Sequence, residues 1–181
     1  MKRIYSNLTE LIENNLNVPE VPEAEDLMKQ LKDFKQKGFI TKEQFYNVVM
    51  WKSPRPKRHY ISNSEEQIIQ VSKSILNSNS EDEKIMLLTS LKGVSIAVAS
   101  SLLTIINPQN YGIIDIRVWQ LLYLYGEVKT KPKGQGFNLE NYKEYLSILR
   151  KYAKQFNMDV RDIERILFFH HKRIQEGNLY K

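Results

Sequence analysis

Apolar positions recur at three- and four-residue intervals along most of the chain, and no stretch alternates with the two-residue period of a half-buried strand. Three polar signatures punctuate this pattern. Thr41-Lys42-Glu43-Gln44 precedes Phe45, Val48, Val49 and Trp51. Ser64-Glu65-Glu66-Gln67 precedes Ile68, Ile69, Val71 and Ile75. Ser80-Glu81-Asp82-Glu83 precedes Ile85, Met86, Leu87 and Leu88. Each has the form of a capping box, in which a hydroxyl and a side chain three residues later satisfy backbone donors that a helix start leaves unpaired. Each therefore predicts the start of a helix.

Elsewhere Leu27, Met28, Leu31 and Phe34 predict a helix over 25–37, closed by Gly38, and residues 3–16 carry a weaker helical pattern. Residues 95–106 are small and apolar, as a buried helix would be, and 115–125 form a second apolar run. Residues 138–156 and 159–175 read as long amphipathic helices opening on Asn138 and Asp159, both favourable N-caps. The expected fold is all-α, with about nine helices. The stretches 17–24, 53–63 and 129–137 lack the pattern and are expected as connectors. The first and last would separate two lobes, and the middle one would be an exposed loop stiffened by proline.

Composition narrows the chemistry. The chain has 181 residues, enough for one core or two small lobes. No apolar run approaches the roughly 20 residues of a membrane helix, and the first eight residues lack a signal-peptide core. A soluble, cytoplasmic monomer with no membrane partner is expected. There are no cysteines, which excludes disulfides, thiolate metal sites, cysteine nucleophiles and iron–sulfur clusters. The three histidines, His59, His170 and His171, show no metal-ligand spacing, so no transition-metal cofactor is expected. Lys and Arg total 27 against 21 Asp and Glu, a net charge of +6. The excess lies after Trp51 and is densest in Lys52-Ser53-Pro54-Arg55-Pro56-Lys57-Arg58-His59. Such a balance suits a phosphate-rich partner, and equally a well-solvated surface.

The most informative segment is Ile85–Asn107. An apolar helix ends at Leu91, a Lys92-Gly93-Val94 turn follows, and Ser95 can cap the next helix. Free N–H groups and the positive end of the dipole at that helix start can hold a phosphate. Asn107-Pro108 ends the helix, and a short connector leads to Ile114-Asp115-Ile116-Arg117-Val118. A carboxylate fixed at a helix start can stabilise positive charge building on a sugar, or orient and deprotonate water. Asp is also a common N-cap with no further role.

From Leu91 to Leu122, about a fifth of the chain, the sequence resembles the helix–hairpin–helix superfamily of base-excision DNA glycosylases. Leu91, Gly93, Val94 and Ala99 match its L-x-G-V-G-x-x-x-A hairpin. Residues 114–118 match its V-D-x-H-V segment at the right distance. The resemblance implies a lobe of residues 24–125 carrying the hairpin, a second lobe of 1–23 plus 126–181, and a cleft between them. It implies that Lys92, Gly93, Val94, Ser95 and Arg117 contact the backbone of double-stranded DNA. It makes Asp115 the essential carboxylate, and it leaves room for a monovalent cation on the hairpin carbonyls. Ser95 replaces the second hairpin glycine, and Arg117 replaces the family histidine. Ala97 stands where strand-cleaving members carry a lysine. Monofunctional hydrolysis of a glycosidic bond, without lyase activity, is the activity implied. Two alternatives use the same fold: a non-catalytic DNA-binding module and a protein–protein adaptor.

An enzyme that acts on a base within a duplex must flip it into a pocket. Trp51, Lys52, Arg55, Lys57, Arg58 and Trp119 are candidates for DNA contact or for that pocket, and His59, Tyr60 and Tyr123 are further aromatics near them. Trp51 beside basic residues either stacks on a base or anchors its helix. Trp119, one turn beyond Asp115, either lines the pocket or belongs to the core. His170 and His171 are expected to be packing or surface residues.

Overall fold

The computed structural model describes residues 2–179, and the described residues form helices and connectors with no strand. The helices are α1 (Leu8–Glu13), α2 (Pro22–Leu31), α3 (Phe34–Lys37), α4 (Lys42–Lys52), α5 (Lys57–Ile61), α6 (Glu65–Asn77), α7 (Glu81–Thr89), α8 (Ile96–Ile106), α9 (Ile116–Leu124), α10 (Leu139–Phe156) and α11 (Val160–Ile174). The protein is all-α. No helix among the described residues is long and apolar enough to cross a membrane.

The capping signals place the helix starts. Thr41 and Ser64 each form the complete reciprocal box with Gln44 and Gln67. Ser80 accepts from the Glu83 N–H, but the Glu83 carboxylate accepts from Ser78 Oγ at 2.6 Å, so the return bond is not made. The expected helix over 25–37 is two pieces, α2 and α3. Leu31 and Phe34, on either side of the break, are both buried. The loop expected over 53–63 contains α5, because Tyr60 is buried edge-on against Phe45 and pins the segment.

One group of helices packs α4 and α2 against α8, with α6 and α7 alongside; α9, α10 and α11 pack together, with α1 against α11. A single contiguous apolar cluster runs through both groups. At its centre lies α8, buried from Val98 to Ile105. Its polar side chains bond back to their own helix: Ser100 Oγ donates to Ala97 and Ser101 Oγ to Val98, at 2.8 and 2.7 Å. The N-terminal connector is not loose. Glu20 accepts from Arg161 at 2.8 and 2.9 Å and from Arg165 at 3.1 Å, strapping residues 18–21 onto α11.

Candidate active site

Asp115 is placed by three elements. The extended segment before it is gripped from both sides: Ser100 Oγ of α8 accepts from the Ile114 N–H at 3.1 Å, and Tyr145 Oη of α10 donates to the Ile113 carbonyl at 2.8 Å. Asp115 then caps α9, its Oδ1 accepting from the Arg117 N–H at 3.0 Å. Its Oδ2 faces the last residue of α4, where Lys52 Nζ donates at 2.8 Å. The aspartate is thus both a helix cap and half of a largely buried ion pair. Burial pushes its carboxyl up, but Lys52, the Arg117 N–H and the Arg117 guanidinium outweigh that and hold it below the ordinary 3.8.

The pair lies between two cavities and lines both. The first, about 530 Å³, reaches the start of α8 through Ser95, Ile96 and Ala97, with Arg55 on one rim and Gly134–Phe137 on the other. The second, about 510 Å³, runs toward α11 and is walled by Trp51, Phe168 and Phe169, with Arg161 and Glu164 deeper in. Both volumes fall in the range of small-ligand sites.

Around the hairpin the geometry shifts the expected phosphate donors. The Lys92 N–H is taken by Asn63 Oδ1 at 2.8 Å, and the Val94 N–H by the Leu91 carbonyl at 3.1 Å. Val94 is also buried. The open donors facing the cavity are instead in the first turn of α8, at Ile96 and Ala97, where helix geometry leaves N–H groups unpaired. Gly93 takes φ +84° because the turn packs onto α5: a Cβ there would stand 2.9 Å from His59 Cβ and 3.0 Å from the Tyr60 ring. The Lys92 carbonyl accepts from Asn63 Nδ2 and the Leu91 carbonyl from Val94, both at 3.1 Å.

Other candidates move as well. Trp119 is wholly buried and lines neither cavity. Its Nε1 donates to the Thr130 carbonyl at 3.1 Å and its ring packs on Phe137, so it anchors the 129–137 loop rather than a base. That loop closes over α9 at Gly134, where a Cβ would come within 2.9 Å of the Ile116 carbonyl. Arg117 donates to Gln175 and lies over the Phe168 ring, engaged at the α9–α11 contact and away from the start of α8. Lys57, Arg58 and His59 are exposed on α5. Trp51 is half-buried on the second cavity. His170 and His171 are buried.

Ala97 suggested an active site free of lysine; Lys52 corrects that, arriving from a different helix. The α11 residues Arg161, Glu164, Phe168 and Phe169 went unrecognised. A usable signal existed: Arg161, Glu164 and Phe168 fall at i, i+3 and i+7, so two charges share a helix face with apolar neighbours. Comparison with known protein families, with curated proteins and with solved structures gives no match to this chain.

Proposed function

We propose that the chain is a monofunctional DNA glycosylase that hydrolyses the N-glycosidic bond of a flipped base. The observation that carries this reading is the position of Asp115, an ionised carboxylate between a helix-start cavity suited to phosphate and an aromatic-walled cavity suited to a planar ring. In this arrangement a backbone phosphate sits on the first turn of α8 beside Lys52 and Arg55. The sugar then lies against Asp115, and the base enters between Trp51 and the α11 aromatics. As the bond to the base breaks, Asp115 stabilises the cationic sugar and orients a water. Water contributes hydroxide to the anomeric carbon, and its proton leaves with the base. Lys52 keeps Asp115 ionised at rest. A phosphate entering the first cavity competes for its ammonium and frees Oδ2 to face the sugar.

The test is formation of abasic sites on a panel of duplexes carrying oxidised, alkylated and deaminated bases. Asp115→Asn should abolish release while DNA binding persists. Release at an unchanged rate by that variant would remove the mechanism. Salt-dependent DNA binding with no release from any duplex would leave a DNA-binding module. No binding even at low salt would leave an adaptor.

A further inference from the structure

Hydrolysis as described does not call on Glu164, yet this carboxylate sits in the base-side cavity with only 3% of its side chain exposed. A carboxylate buried so far is ordinarily saturated with donors, because each unmet acceptor carries a desolvation cost. Here Arg161 Nη1 reaches Oε2, and no described residue donates to Oε1. Arg161 is not free to cover both oxygens, since its Nε and Nη2 are held by Glu20 at 2.8 and 2.9 Å. The stem of Glu164 is fixed too. Its Cβ lies 3.4 Å from where a Cβ on Gly112 would stand, so the segment leading to Asp115 packs directly against it.

We infer, resting on the glycosylase reading, that Glu164 reads the flipped base, and that the cavity selects a ring presenting an N–H donor in place of a bare ring nitrogen, as hypoxanthine does. Trp51, Phe168 and Phe169 offer faces to any base and do not discriminate. A fixed carboxylate does: an ionised carboxylate only accepts, so it favours a ring N–H and repels a ring-nitrogen lone pair. Sites that read a ring through a fixed polar group reject analogues lacking its partner more strongly than apolar pockets reject a change of size. Burial pushes the Glu164 carboxyl above its ordinary 4.5, with Asp115 adding to the shift against Arg161 and Lys52. A bound ring N–H favours the ionised form and draws that value back down.

The experiment measures binding of 9-methylhypoxanthine and 9-methylpurine to the full chain by calorimetry, so that no imidazole N–H is present, beside release of hypoxanthine and purine from duplexes. The hypoxanthine derivative should bind about tenfold more tightly, the scale of a well-made base contact. Glu164→Gln, which removes the charge and adds an N–H₂, should shrink the preference to less than about threefold. Equal affinity of the wild type for both bases, binding of neither, or a preference unchanged in a folded Glu164→Gln variant overturns the inference. Should that variant not fold, the wild-type comparison decides. Preference without release from duplexes sustains the pocket assignment and sinks the glycosylase reading. Release of bases without preference does the reverse.

Discussion

Lys52 Nζ lies 2.8 Å from Asp115 Oδ2, joining the last residue of α4 to the cap of α9 across 63 positions of sequence. Lys52→Met keeps the stem and removes the charge. The Asp115 carboxyl should then titrate higher, as seen by NMR of the labelled carboxylate, and any acidic limb of base release should move with it. The loss of a partly buried charged partner should cost about 1–3 kcal/mol in urea unfolding. The sign also follows for the wild type. A carboxyl held below 3.8 contributes stability that is present above that pH and lost as pH falls through the folded value. Because the Lys52 amine is held in the ion pair with Asp115, borohydride should trap no covalent adduct between wild-type protein and a substrate duplex. A trapped adduct at Lys52 would make it a nucleophile and the enzyme a lyase.

Ala97→Asp tests the first turn of α8. It adds negative charge where the helix dipole contributes about 0.3–1 kcal/mol, which offsets part of the cost of a carboxylate at a half-buried position. Affinity for duplex should fall about tenfold or more at low salt, because the same charge repels phosphate. Undiminished binding by this variant would move the phosphate site elsewhere. On exposed α5, Lys57→Ala and Arg58→Ala should each reduce the salt dependence of binding by about one unit of slope if they touch phosphate.

Gly93 carries a packing constraint distinct from any ligand. Gly93→Ala should destabilise by about 2 kcal/mol, combining a positive φ with contacts near 3 Å to His59 and Tyr60. Asn63→Ala should cost a similar amount, about 2 kcal/mol, since it removes the side chain that bonds both the N–H and the carbonyl of Lys92. Chemical denaturation measures both. Loss of DNA binding by Gly93→Ala at full wild-type stability would contradict the packing account.

His171 is buried at the α9–α11 contact, with Nε2 3.0 Å from Gln120 Oε1. Burial first, then the neighbouring Arg117, drops its pKa from 6.5 to about 4. The unfolded chain therefore binds a proton at a higher pH than the folded one. Stability should fall as pH drops from 6.5 toward 4 and lose nothing more through this group below that. Thermal melts across this window should show a flatter pH dependence in His171→Gln than in the wild type, with the lowered His170 as a smaller contributor that remains in both, and equal slopes would clear His171.

The helices were readable because helix formation is largely local. Thr41, Ser64, Asn138 and Asp159 announce their own starts, and a 3.6-residue apolar period needs no partner to be seen. The α5 turn was not readable. It depends on Tyr60 packing against Phe45, 15 positions away in the chain. Likewise nothing local tells Lys92 that its N–H will be occupied, because the acceptor, Asn63, belongs to a different part of the chain, whereas the Val94 N–H is met within the turn itself by Leu91.

Asp115 shows the same division in a single residue. Its place at the start of a helix, after an extended apolar segment, was legible in the chain because cap chemistry acts over two or three residues. Its pairing with Lys52, its place between two cavities and the buried Glu164 beyond it were decided by tertiary packing. Side chains from α4, α9 and α11 meet only when the core closes, and periodicity carries no information about which distant charges will be brought together.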